Sequence, residues 1–285
     1  ILIKRLESSF EAFKKTLHRF INSYEKFLDM CLTGEVYISK KIDVYDLLDN
    51  GDDEKLMDLV EEDIIQHYPI TAFVKDFIPA IKHDLRILKE LQEEWDEIID
   101  DPKKEQFLYE LKTNHKLKDK KIIVFTESRE TAEYVGAYLD LYYPEQVLVY
   151  SGQGSRSVRQ EIEANFNPNY AYEKKDNIQI LVTTDVLAEG INLHRSNVII
   201  NYDLPWNPTR VMQRVGRINR VGTEYDRIYA FNFFPAAQAN AHLSLEENII
   251  LKIQAFHDTL GEDFKYLSED EEVSSHNLYT QLNSK

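Results

Sequence analysis

Apolar side chains recur at Leu6, Phe10, Phe13, Leu17, Phe20, Tyr24 and Phe27, with spacings of 4, 3, 4, 3, 4 and 3. That is the heptad seam of one amphipathic helix of about 30 residues. Gly34 and the Asn50-Gly51-Asp52 cluster break the period. Helical spacing resumes at Leu56, Leu59, Val60 and Ile64, and again at Ile81, Leu85, Leu88, Leu91, Trp95 and Ile98. Pro79 is placed to start or kink the last of these, and a shorter helix over Lys103 to Lys112 follows. The acidic run from Glu90 to Asp101 reads as the solvated face of its helix.

At Lys121 the period changes. KIIVFT, QVLVY, IQILVTT, NVIINY and DRIYAFNFF are short β-branched and aromatic runs separated by polar helical stretches. This alternation predicts an α/β fold, a parallel sheet with helices on both faces whose functional edge is formed by loops at the carboxyl ends of the strands. After Pro235 helical spacing returns at Ile249, Ile250, Ile253 and Phe256, ahead of the acidic stretch Glu269 to Glu272. The predicted organisation is a helical domain over 1–115, the α/β lobe over 116–235, and a helical extension over 236–285 ending in a partly disordered acidic tail.

Composition changes this picture in three ways. With 285 residues and 43% hydrophobic side chains there is ample material for a core. No run approaches the roughly 18 to 20 apolar residues of a membrane span, and no leader pattern opens the chain, so a cytoplasmic monomer is expected. Cys31 is the only cysteine, which excludes an internal disulfide or a multi-thiolate metal site and leaves a buried free thiol. The first residue is Ile1, from which we expect a piece of a longer protein. The net charge of -16 argues against a polyanion partner, but the acid is concentrated in the flanks. Residues 116–235 hold 15 Lys+Arg against 15 Asp+Glu, whereas 1–115 hold 16 against 26 and 236–285 hold 3 against 9.

Candidate chemistry gathers after the fourth strand run. Asn207 and Pro208 read as N-cap and first residue of a helix running to about Ile218. On it Gln213, Arg217 and Arg220 fall at i, i+4 and i+7, with Arg214 offset from that face. Two guanidinium groups and an amide aimed together suit phosphoryl transfer, where charge builds on the terminal phosphate. Spacing alone fits equally well a helix whose arginines pair with surface carboxylates. Gly216 and Gly222 favour the first reading, because glycine within a helix costs about 1 kcal/mol relative to alanine and usually marks close backbone approach.

QRVGRINR resembles the Q-R-x-G-R-x-x-R signature, motif VI, of superfamily-2 helicases and translocases. VTTDVLAEGINL resembles motif V, KIIVFTES resembles motif IV, and YSGQGSRSVRQEIEANF between them resembles the segment after the second strand. Order and spacing agree over residues 116–235. EGINL and DLPWNP look most like the Swi/Snf-type branch and its bacterial relatives, including the RNA-polymerase-recycling ATPase, in which residues 1–115 would be the counterpart of a helical protrusion.

The resemblance implies a RecA-like lobe in which Arg217 and Arg220 reach the γ-phosphate of ATP held on another lobe, assisted by Gln213. Gly190, Asn192 and Arg214 would face the nucleotide. Thr184, Thr126 and Gly152 would contact the nucleic-acid backbone. The residues themselves also allow Thr126 and Thr184 as strand-end hydroxyls that cap turns, Asp185 as a helix cap, Asp203 as a turn former and Trp206 as a packing residue.

What the chain lacks decides the division of labour. An ATPase needs a glycine-rich phosphate cradle ending in Lys and Ser or Thr, with an acidic strand end for Mg2+. None of the nine glycines precedes a lysine. VEED at Val60 to Asp63 is the best imitation of the acidic motif, but its apolar neighbours follow helical spacing. The eight histidines form no zinc pattern, and GQGSRS fits neither a nucleophile elbow nor a dinucleotide fingerprint. The expectation is therefore half of a motor, with ATP and Mg2+ held mainly by a first RecA-like lobe of the same polypeptide and with duplex DNA as the nucleic-acid partner. A non-catalytic protein-interaction module of the same fold and an RNA helicase lobe are the alternatives.

Overall fold

The structure, a computed structural model, describes residues 2–45, 48, 53–152, 156–188, 191–205, 207–219, 223 and 225–234. Gly190, Trp206, Arg220, Gly222 and the expected extension over 236–285 lie outside the described residues.

The chain divides into two compact units, residues 1–13 with 100–285, and residues 14–99. The first is built on strands β3 (Ile122–Thr126), β4 (Val147–Tyr150), β5 (Ile180–Thr184), β6 (Val198–Asn201) and β7 (Tyr229–Asn232), all parallel and in the order β4-β5-β3-β6-β7. Each expected run supplies one strand. β3, β5 and β6 are buried at every position, which is why they read as unbroken apolar runs rather than as alternation. Register places Ile122 beside both Ile180 and Val198, and Thr126 beside Thr184. Alternate residues feed two cores on opposite faces. Ile122, Val124, Ile180 and Val182 join one core with helix α5 (Pro102–Thr113) and helix α6 (Arg129–Asp140). Ile123, Phe125, Leu181 and Ile199 join the other with helix α7 (Arg156–Phe166) and helix α8 (Pro208–Val215). This is a RecA-like parallel lobe.

α6 begins where Ser128 accepts a hydrogen bond from the Thr131 amide. It lies so close to β4 that a Cβ on Gly136 would sit 2.1 Å from Val149 Cγ2. α5 starts on the Asp101 side chain, which accepts from the Lys103 and Lys104 amides, and buries Phe107, Leu108 and Leu111 against the sheet. The expected boundary lay at residue 115. Those three side chains tie α5 to the lobe, and the division falls at 99/100.

The single long N-terminal helix is also corrected. Helix α1 (Leu2–Ser8) and helix α2 (Phe10–Leu32) are interrupted at Ser9. The buried apolar positions are Ala12, Phe13, Leu17, Ile21, Met30 and Cys31, while Leu6, Phe10, Phe20, Tyr24 and Phe27 are half-buried. The buried stripe thus runs at i, i+4 and i+8 through Phe13, Leu17 and Ile21, turned from the expected seam.

Within the second unit, helix α3 (Asp53–Glu61) and helix α4 (Phe77–Asp96) follow the expected spacing, and Pro79 sits in the first turn of α4. The apolar side of α4 is half-buried at Ile81, Leu85, Leu88, Leu91 and Trp95. It meets the 14–32 stretch through Phe77 on Phe27, Lys89 on Glu25 and Gln92 on His18. An antiparallel pair, β1 (Glu35–Ile38) with β2 (Gln66–Pro69), was not expected in a helical region. Four-residue strands are too short to show alternation, and β2 is exposed at all four positions. No described helix is long and apolar enough to cross a membrane.

Candidate functional site

Parallel pairing brings the carboxyl ends of all five strands to one edge, where Thr126, Tyr150, Thr184, Asn201 and Asn232 end their strands. A cavity of about 310 Å³ lined by Leu117, Ile122, Tyr143 and Ile180 belongs to the opposite end of the sheet, since Ile122 and Ile180 open their strands. The candidate residues cluster at the carboxyl edge. Thr184 is 7% exposed, and its hydroxyl oxygen is buried with no hydrogen-bond partner. Gly152 takes φ +96°, and a Cβ there would come within 3.0 Å of Val186 in the turn that follows β5. The loop after β4 and the turn after β5 are therefore in close contact, which only glycine permits.

Thr126 does something else. It is fully buried, its hydroxyl donates to Asp203 Oδ2 at 2.6 Å, and it accepts from the Ser128 amide at 3.2 Å. Its single proton is thus given to Asp203 inside the lobe.

Asn207 caps α8, accepting from the Thr209 amide, and Pro208 opens it as expected. The helix stops at Val215, however, instead of continuing to Ile218. Past Gly216 two bonds tighten to i→i−3, the Arg217 amide on Arg214 O at 3.1 Å and the Ile218 amide on Val215 O at 3.1 Å, before the Asn219 amide returns to Val215 O at 2.9 Å. Gln213 therefore lies on the helix and Arg217 beyond its end. Gln213 is exposed on the helix, and Arg217 is half-buried in the turn beyond it. A different link carries Arg217 to the motif V-like segment. The Leu193 amide donates to Arg217 O at 3.2 Å, which ties the residue after Asn192 to the Arg217 backbone.

Arg214, expected among the nucleotide contacts, is a fully buried strut. Its Nε and Nη2 grip Asp185 at 2.6 and 3.0 Å, its Nη1 donates to Asn201 Oδ1 at 2.8 Å and to Asp203 O at 3.3 Å, and its guanidinium lies 5.2 Å from the Phe125 ring centroid. The planar fork satisfies a carboxylate at two points while binding two further oxygens, which lysine cannot do. Asp185 is thereby the partner of Arg214 as well as the start of its turn. Arg210 extends the chain of charges, bonding Asp185 at 3.2 Å and Glu127 at 3.3 Å, and Glu127 also holds Lys4 at 2.8 Å.

Two features of this edge escaped the sequence. Asp203 is a buried acceptor for three donors, Ser8 Oγ at 2.5 Å, Thr126 Oγ1 at 2.6 Å and the Glu127 amide at 2.7 Å. Lys103 is buried as well, donating to the carbonyls of Glu7 at 2.5 Å and Ser8 at 3.1 Å with its ammonium 4.4 Å from the centroid of the Tyr202 ring. Burial lowers the Lys103 pKa against the pull of Asp203, Glu7 and Asp101, and burial raises that of Tyr202 well above 10. No periodicity connects residues 8, 103 and 203, so only the folded chain reveals them.

Residues 103–222 match the family model described as the helicase conserved C-terminal domain. The match supports reading this segment as a helicase C-terminal lobe. The lobe is similar to the uncharacterized ATP-dependent helicase YqhH of Bacillus subtilis, 36% identical over 156 residues that cover 50% of this chain and 24% of the relative. It is similar also to the ATP-dependent RNA helicase DBP2 of Eremothecium gossypii, 29% identical over 157 residues, 55% of this chain and 26% of the relative. Among solved structures, the C-terminal part of the Fun30 ATPase domain superposes with a TM-score of 0.41 at 20% identity, covering 50% of this chain and 44% of that one. The chain spans about a quarter of the length of the curated relatives it matches.

Proposed function

We propose that this chain is the C-terminal motor lobe of an ATP-dependent translocase of the Swi/Snf type that acts on duplex DNA. A first RecA-like lobe in the longer polypeptide supplies the phosphate cradle and the Mg2+ site. The observation that carries this reading is the backbone bond from the Leu193 amide to Arg217 O, which ties the two motif-like segments together at the same sheet edge as the unpartnered Thr184 hydroxyl. One group of residues then faces ATP across the lobe boundary while another faces a phosphate backbone, as closure of two lobes around a nucleotide requires.

In this scheme Arg217 and Arg220 stabilise charge on the γ-phosphate, and Gln213 assists. Asn192 and Gly190 approach the nucleotide, and Thr184 with the Gly152 amide lines the track. Arg214 and Thr126 are left out of direct contact because their polar groups are already used within the lobe. ATP supplies the phosphoryl group whose transfer to water drives the cycle. In the full-length protein, Arg217→Ala is expected to lower nucleic-acid-stimulated ATP hydrolysis by about 10³-fold or more, within the range of arginine fingers, while ATP binding persists. Undiminished turnover would remove the assignment.

A second reading has its own support, since DBP2 is by name an RNA helicase. Stimulation of hydrolysis by single-stranded RNA but not by duplex DNA would select it. An upstream coding sequence without a Gly-Lys-Thr loop would instead point to a non-catalytic interaction module.

A further inference from the structure

The break between α1 and α2 is held by a directional chain of hydroxyl groups that ends on Asp203. A carboxylate only accepts, so Ser8 Oγ must give its single proton to Asp203 Oδ2, 2.5 Å away. The contact of 2.7 Å between Ser8 Oγ and Thr131 Oγ1 must then be donated by Thr131. Thr131 having spent its proton, the 2.8 Å contact with Ser9 Oγ is donated by Ser9, whose oxygen accepts in turn from the Ala12 amide at 3.1 Å. The order Ser9 to Thr131 to Ser8 to Asp203 is thus fixed. All four side chains are buried, between 0 and 8% exposed. Lys103 holds the backbone of the same joint at Glu7 O and Ser8 O.

An apolar joint of the same volume would hold the segment without the cost of burying four polar groups. What a directional chain adds is a fixed position for its terminus. Asp203 lies five residues before α8, and its own carbonyl accepts from Arg214 within that helix. α8 leads into the turn where Arg217 is tied to Leu193. We propose that Ser9, Thr131, Ser8 and Asp203 are positioning residues that act through the start of α8 to set Arg217, held at its backbone by the Leu193 amide. The N-terminal segment 1–13 is by this account a working part of the arginine-bearing site. The inference rests on the motor-lobe reading above.

The test uses the full-length protein with a duplex DNA and a single-stranded RNA oligonucleotide as activators. Thr131→Val keeps the shape and removes the central hydroxyl, whereas Thr131→Ser keeps the hydroxyl. Thr131→Val is expected to lower kcat about tenfold with KM for ATP within twofold, and Thr131→Ser to stay within twofold of the parent in both. Ser9→Ala, at the far end, should cost less than Asp203→Asn, which reverses the acceptor at the terminus. Amide exchange over residues 209–219 should quicken in Thr131→Val but not in Thr131→Ser. Arg217→Ala serves as the control. If it abolishes turnover while Thr131→Val leaves kcat and exchange unchanged, the positioning role is overturned. Equal losses in Thr131→Val and Thr131→Ser also overturn it, because a packing role alone would give that result. If Arg217→Ala leaves turnover intact, the motor-lobe reading fails first and takes this inference with it.

Discussion

At the scale of single residues, several side chains of the carboxyl edge are spent on holding the lobe. Arg214 is the clearest case. Removing it leaves the Asp185 carboxylate, the Asn201 amide oxygen and the Asp203 carbonyl without their shared donor. Arg214→Ala should therefore destabilise the chain by about 3 to 5 kcal/mol, the usual cost of breaking a buried pair by deleting one partner. Arg214→Lys should recover only part of that, since an ammonium cannot span both carboxylate oxygens. Chemical denaturation measures both. A stable Arg214→Ala protein with weakened ATP binding would instead return Arg214 to the nucleotide site.

Lys103 gives a residue-scale prediction with a pH sign. Burial lowers its pKa below the ordinary 10.5, so between the folded value and 10.5 the unfolded chain binds more protons than the folded one. Over that window its contribution to stability rises with pH. Below the window both states are charged and the folded chain bears the whole cost of a buried cation; above 10.5 that cost is gone. In Lys103→Met this dependence disappears. The difference in unfolding free energy between parent and variant should therefore move in favour of the parent as pH climbs toward 10.5. A difference that stays level would mean that the amine titrates as in water.

At the scale of elements, the tightest constraint is the seat of α6 on β4. Gly136→Ala would put a methyl group 2.1 Å from Val149 Cγ2, and valine has few rotamers with which to yield. A loss of about 1 to 3 kcal/mol is expected, the range for overpacking. Val149→Ala in the same background should restore part of it, a coupling that a double-mutant cycle reads directly. Elements of this kind were legible in the sequence. Five strands announced themselves as apolar runs, and Asn207-Pro208 announced the start of α8. The end of α8 was not legible, because Gly216 and Arg217 fit a continued helix by spacing and depart from it only in bond pattern. Nor was the joint at Ser8 and Ser9, where two small polar residues interrupt a heptad seam for the sake of partners at positions 131 and 203. Contacts of such sequence separation leave no local period. The same reason hid Arg214, whose offset from Gln213 and Arg217 looked like freedom and is instead direction toward Asp185.

At the scale of the whole molecule, charge and missing parts bear on activity together. The chain contains the arginines proposed to meet the γ-phosphate but no Gly-Lys dipeptide to cradle a phosphate. Alone it is expected to release no phosphate from ATP above background, with or without nucleic acid, as a phosphate-release assay would register. Its net charge of -16 also limits how it can hold a polyanion. Contacts made by lysine or arginine release counterions, each steepening the fall of log K with log salt by about 0.9 on duplex DNA. A hydroxyl such as Thr184, or a backbone amide such as that of Gly152, displaces none. In the full-length protein Thr184→Val should therefore weaken duplex binding several-fold at every salt concentration while leaving the slope of log K against log salt unchanged. A change of slope by about 1 would show that the threonine acts by placing a cation, and the neutral phosphate track proposed for this edge would have to be replaced by a charged one.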